Sequence, residues 1–108
     1  MERREAKKRL LESRVIAVLR APDIEMVRGL ADAYIDAGIT AIELTTSIPN
    51  WETAVREVCD GCRERAMIGL GTVTSAIDAI EAIRLGADFI VSPYTSQDVI
   101  EAVNVRGV

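Results

Sequence analysis

Three residue types in this 108-residue chain are placed where they could do chemistry: a glutamate inside an apolar run, an arginine directly after another, and a threonine behind alternating glycines. Glu43 lies in Ala-Ile-Glu-Leu (Ala41 to Leu44), with Thr45 and Thr46 closing the run. If that run is a strand, alternation puts Ile42 and Leu44 on one face and Ala41, Glu43 and Thr45 on the other. The bulky face suits packing on helices, so the carboxylate points to the opposite, interior side. A desolvated carboxylate there is a candidate general acid/base; the structural alternative is an ion pair with Arg20. Arg20 follows Val-Ile-Ala-Val-Leu (Val15 to Leu19) and suits a carboxylate or phosphate, although a lone arginine at that place is commonly solvated or ion-paired. In Gly69-Leu70-Gly71-Thr72, missing side chains leave room for a small ligand, with N–H groups and the Thr72 hydroxyl facing it. The plainer reading gives those glycines a backbone role only. The pattern is no dinucleotide fingerprint, since Thr74 stands where the third glycine would be.

Composition removes other chemistry. The chain contains no histidine, so Ser-His-Asp and Cys-His catalysis and histidine metal clusters are excluded. Cys59 and Cys62 form a C-x-x-C, but two thiolates do not complete a structural zinc site within one chain; two reduced, partly buried cysteines are expected, and no metal or cofactor. Lys7 and Lys8 are the only lysines, both in the charged opening segment. The net charge of −4 argues against nucleic acid as a partner. The opening MERREAKKRLLESR has the wrong character for a signal or transit peptide, and no run approaches the ~20 apolar residues of a membrane span. A soluble, cytoplasmic protein is expected.

The elements that must position these residues repeat one pattern four times. After a short helix over residues 1–14, the apolar runs Val15–Leu19, Ala41–Leu44, Ala66–Leu70 and Asp88–Ser92 alternate with helical stretches over Asp23–Ala37, Asn50–Arg65, Ser75–Leu85 and Thr95–Asn104. Asp23, Asn50, Ser75 and Thr95 are expected N-caps; Gly38, Gly86 and Gly107 sit where helices end. Trp51 and Tyr34 fall on helices, where packing is their expected role. Short apolar strands between amphipathic helices mean a parallel sheet covered by helices. Residues 1–108 thus read as one domain: an N-terminal helix plus (βα)₄, half of a TIM barrel, with a flavodoxin-like open sheet as the alternative. The chain stops at a unit boundary; a fragment, a truncated product and a natural half-barrel all give this pattern. In any such fold the ligand end is the C-terminal end of the strands, where Arg20, Thr45, Thr46, Gly71, Thr72 and Ser92-Pro93-Tyr94 fall.

Four stretches taken together resemble the bacterial keto-deoxy-phosphogluconate/keto-hydroxyglutarate aldolases in order and spacing: I-A-V-L-R-A (Ile16 to Ala21), G-I-T-A-I-E-L-T (Gly38 to Thr45), I-G-L-G-T-V (Ile68 to Val73) and G-A-D-F-I-V-S-P (Gly86 to Pro93). The similarity runs from Val15 to the end and covers the first half of the family's barrel. It implies a trimeric lyase that cleaves a 2-keto-3-deoxy sugar acid phosphate to pyruvate and an aldehyde, through a lysine Schiff base and a proton-shuttling glutamate. Glu43 matches that glutamate; Arg20 and Thr72 match residues lining the pyruvate end. The resemblance makes a pyruvate-like 2-keto acid or a sugar-acid phosphate the expected ligand. The departures are Ser47, where some members carry a carboxylate-binding arginine, and Tyr94, where a glycine is common. The Schiff-base lysine and phosphate loops belong to the second half, so the chain alone is expected to be inactive. A non-catalytic ligand-binding or assembly domain and a thiamine phosphate synthase-like barrel are the alternatives. The open edges of a half-barrel lead us to expect a homo-oligomer.

Overall fold

A computed structural model of the chain describes all residues, 1–108. Helix α1 (Arg3–Ser13) is followed by four strand–helix units: β1 (Ala17–Leu19) and α2 (Glu25–Asp36), β2 (Ala41–Thr45) and α3 (Trp51–Cys62), β3 (Met67–Gly71) and α4 (Ala76–Arg84), β4 (Phe89–Ile90) and α5 (Gln97–Asn104). The strands are parallel and lie in the order β1-β2-β3-β4. That order excludes the flavodoxin-like alternative. There the sheet grows in both directions from β1 and helices cover both faces. Here strands add sequentially, as in a barrel, and α2 to α5 share one core with one face of the sheet: Leu19, Ile42, Leu44, Ile68 and Leu70 pack with Val27, Val55, Val58, Ala79, Ala82 and Val99. The chain is an N-terminal helix plus a (βα)₄ half-barrel.

The register sorts the other, inner face into layers. Val18 stands level with Glu43, Glu43 with Gly69, and Gly69 with Phe89; one layer further along, Thr45 stands level with Gly71. Helix α1 closes the N-terminal end of this face, packing Ala6 on Met67 and Phe89 with Leu10 and Val91 at the margin. The helix is tied to the chain's far end, since the Arg3 N–H donates to Gly107 O at 2.8 Å and its guanidinium to the carbonyls of Asn104 (3.1 Å) and Val108 (3.0 Å).

The outer strands are shorter than the apolar runs suggest. Val15 and Ile16 lie outside β1 and are exposed, because β1 has a partner on one side only. Strand β4 reduces to Phe89 and Ile90 for the same reason, and Asp88 just before it adds a side-chain bond: Ile68 N–H donates to Asp88 Oδ2 at 3.0 Å. The caps follow local chemistry. Ser75 accepts from Asp78 N–H at 3.1 Å, whereas Ser96, not Thr95, caps α5 by accepting from Val99 N–H at 3.4 Å. Asp23 serves the turn before α2, accepting from Met26 N–H at 3.2 Å. Asn50 occupies the N-cap of α3 in the left-handed region (φ 56°) and makes no side-chain cap bond. Gly38, Gly86 and Gly107 all have positive φ at helix exits, where a Cβ would be strained.

Candidate active site

The candidate site is the inner face of the half-barrel at the C-terminal ends of the strands, a cup open to solvent. Glu43 is its floor. The side chain is 8% exposed, and its position follows from alternation in β2: Ile42 and Leu44 take the helix face, so Glu43 is turned inward. Gly69 beside it has no side chain because the Phe89 ring fills that space, and Gly71 has none because the Glu43 carboxylate lies over it; a Cβ at either position would overlap these groups. The carboxylate accepts no hydrogen bond and makes no ion pair within the chain. Burial therefore pushes its pKa above the ordinary 4.5, and the nearby positive charge of Arg20 opposes that rise without reversing it. The structural alternative of an Arg20–Glu43 salt bridge is not what the chain forms. Arg20 is exposed at the rim after β1, with its guanidinium available to an anion.

The loops after β2 and β3 form the rest of the rim. Thr45 is fully buried, and its hydroxyl meets the Ser47 hydroxyl at 2.6 Å. At Ser47 the site thus has a hydroxyl pair and no cation. Thr72 is exposed and adopts φ 60°, a left-handed conformation that costs a β-branched residue on the order of 1–3 kcal/mol. Neither its N–H nor its hydroxyl is bonded within the chain. Two donors on one held residue, an exposed guanidinium and a desolvated carboxylate suit a small 2-keto acid: donors and cation for its carboxylate and keto oxygens, the glutamate for proton transfer. Tyr94 is exposed beyond β4.

Sequence reasoning placed Thr46 at the ligand end of β2 but gave it no role, and its hydroxyl donates to Thr72 O at 3.1 Å; the reason for Gly69 and Gly71 was not found either. The register β2 adopts against β3 decides both, and no single segment carries that signal. The two cysteines are free and fully buried, more deeply than expected. Burial is the main cause holding the Cys59 thiol up at about 12, with Asp88 adding to it, and burial likewise raises Cys62. Both are packing residues. No cluster of three metal-ligating side chains forms, and no helix is long and apolar enough to cross a membrane. An apolar cavity of about 330 Å³ runs along the β4 edge beneath α1 and does not include Glu43, Arg20 or Thr72.

With this geometry in place, the comparisons with known proteins decide the family. The model of the KDPG and KHG aldolases matches residues 6–107. The chain belongs to that family. It is 33% identical over 86 residues to the 2-dehydro-3-deoxy-6-phosphogalactonate aldolase of Escherichia coli K12, covering 80% of this chain and 42% of the relative. Among solved structures, the 2-keto-3-deoxy-6-phosphogluconate aldolase of Zymomonas mobilis ZM4 with 3-phosphoglycerate superposes with a TM-score of 0.83 at 26% identity, over 95% of this chain and 48% of that one. The KDPG aldolase of Legionella pneumophila, captured with pyruvate as a covalent carbinolamine, gives 0.77 at 28% identity, over 83% and 43%. The chain spans less than half the length of these KDPG/KHG aldolase relatives.

Proposed function

We propose that this chain forms the keto-acid half of an aldolase site that cleaves a 2-keto-3-deoxy sugar acid phosphate to pyruvate and an aldehyde. The observation that carries the reading is Glu43: a residue 8% exposed whose carboxylate has no internal partner and keeps contact with solvent, seated over Gly71 on the side where Arg20 and Thr72 stand. Arg20 takes the substrate carboxylate, Thr72 and the Gly71 backbone border the keto end, Thr45 closes the wall, and Glu43 moves the proton. In the cleavage direction that proton leaves the hydroxyl two carbons from the keto carbon. The C–C bond breaks, its electrons flow toward the activated keto carbon, and the proton returns to carbon as pyruvate forms. A raised pKa suits this shuttle, since a carboxylate of higher pKa is the stronger base.

The electrophile must come from elsewhere. A carbinolamine, as captured in the Legionella relative, is an amine added to a carbonyl. The only amines on side chains here are Lys7 and Lys8 of α1. That helix packs at Met67, the first residue of β3, and Thr72 lies five residues on, roughly 16 Å away at ~3.3 Å per residue. Alone, therefore, the chain binds a keto acid and does not cleave. Exposed Val15, Ile16 and Val18 at β1 and the unpaired β4 edge favour assembly with further βα units or another copy. A cytoplasmic setting fits the two free thiols.

The test is a pyruvate titration followed at the backbone amides of Arg20, Gly71 and Thr72. Saturable shifts confined to these residues, weakened about tenfold or more by Arg20→Ala, are expected for loss of a charged hydrogen-bond donor. No response at any of them rules the reading out.

A further inference from the structure

Thr46 holds the loop after β3 from the loop after β2. Its N–H donates to Gly71 O at 3.1 Å and its hydroxyl donates to Thr72 O at 3.1 Å, so one residue fixes two consecutive carbonyls. The second carbonyl belongs to a threonine with φ 60°, a conformation a β-branched residue leaves unless its surroundings over-determine it. On the far side of the loop, Val73 N–H donates to Val91 O at 3.1 Å, anchoring it to the segment after β4. Between these anchors the Thr72 N–H and hydroxyl are left without partners inside the chain. We propose that Thr46 is a positioning residue, whose hydroxyl clamps Thr72 in its left-handed conformation so that both free donors face the keto-acid end of the cup. The proposal rests on the site reading above for its ligand, and on the two hydrogen bonds for its mechanism.

The geometry explains why the hydroxyl matters and the side-chain shape does not. Thr46 is half-buried, so valine keeps the contacts of its branched body and removes the single donor. Serine keeps the donor and removes a methyl group. A purely structural role would make the valine variant tolerable and the serine variant the weaker of the two. The positioning role reverses that order.

The experiment compares the chain with Thr46→Val and Thr46→Ser by amide exchange in the free protein and by pyruvate titration. In Thr46→Val the two bonded amides that anchor the loop, Val73 N–H on Val91 O and the residue-46 N–H on Gly71 O, are expected to exchange faster, and pyruvate affinity to fall about fivefold, the size of one net hydrogen bond. Thr46→Ser is expected to restore both within a factor of two, on the order of what side-chain volume alone changes. Unchanged exchange at both anchor amides in Thr46→Val overturns the clamp whether or not pyruvate binds. Faster exchange with unchanged pyruvate affinity overturns the positioning role. A wild-type chain that ignores pyruvate defeats the site reading instead, and the exchange comparison then decides the clamp by itself.

Discussion

The carboxylate of Glu43 occupies the space that a side chain at position 71 would need: a Cβ built on Gly71 would fall on Glu43 Oε1. Two layers of the sheet thus share one volume, and the glycine of β3 is what lets the glutamate of β2 lie flat across the floor of the cup. Gly69 has the same relation to the Phe89 ring. The two glycines differ in what would have to yield.

Gly71→Ala and Gly69→Ala should therefore separate function from stability. At 71 the obstacle is the end of a flexible side chain, which can swing away. The strain is offset by the ~0.5–1 kcal/mol gained on replacing a strand glycine, so unfolding free energy should change by less than about 1 kcal/mol. Pyruvate binding should be lost, because the carboxylate is displaced. At 69 the obstacle is the ring of Phe89 in β4, packed against Ala6 of α1 and Met67, and overpacking should cost ~1–3 kcal/mol. Denaturant unfolding of both variants beside pyruvate titration checks this; equal destabilisation of the two would show that Glu43 is as fixed as Phe89.

Glu43 also predicts a pH dependence. In the unfolded chain it titrates near 4.5, and in the folded chain higher, because burial outweighs the charge of Arg20. Between those two values the folded state holds a proton the unfolded state has released. Stability attributable to this residue is therefore greatest at acid pH and falls as pH rises through the folded value. Glu43→Gln should raise the melting temperature at pH 7, where the folded parent carries the cost of a desolvated charge, and should bring no gain near pH 4. A variant less stable than the parent at pH 7 would point to a real ion pair with Arg20.

How much of this was legible beforehand depends on how local each cause is. The inward turn of Glu43 followed from alternation with Ile42 and Leu44, and the helices from period and caps, because each is decided within a few residues. The volumes under Gly69 and Gly71 were not legible, because they depend on which β2 and β4 residues stand level with them. The left-handed Thr72 had no signal either: threonine is a poor residue for that region, and what holds it there is Thr46, 26 positions earlier. Thr95 was the expected cap and Ser96 does the work, since adjacent hydroxyls compete and only backbone geometry chooses between them.

The exposed β1 edge makes a prediction about assembly. Val18 is 48% exposed on a strand with one partner, and Ile16, just before that strand, is 40% exposed. The parent chain should sediment as a dimer or larger species, and Val18→Lys should shift it toward monomer by at least tenfold in dissociation constant, since a charge on a pairing edge blocks strand addition. A parent that remains monomeric at millimolar concentration, or a lysine variant that assembles as well as the parent, would refute the edge as the contact.

The last prediction concerns covalent chemistry. Capture of pyruvate as a Schiff base needs an unprotonated amine held against the keto carbon. Lys7 and Lys8 are exposed on α1, among Arg3, Arg4 and Arg9; Lys7 borders the β4-edge cavity, and α1 docks at the N-terminal end of β3 and β4. Arg20 and Thr72 are at the opposite ends of their strands. An amine on α1 would have to pass Met67 and Phe89, both buried in the packing of that helix, to reach a keto acid held at the rim. Incubation of the chain with pyruvate and borohydride should therefore leave its intact mass unchanged, whereas the Legionella relative, whose pyruvate adduct has been captured, should gain one reduced pyruvate under the same conditions. Adding the remaining βα units of such a relative in trans should move the label onto the added half, and Arg20→Ala in this chain should then slow the labelling about tenfold, the size of a lost charged hydrogen bond. A stable adduct on Lys7 or Lys8 of the chain alone, with aldol cleavage that Glu43→Gln abolishes, would mean that α1 folds across the cup and that the half-barrel is a complete enzyme.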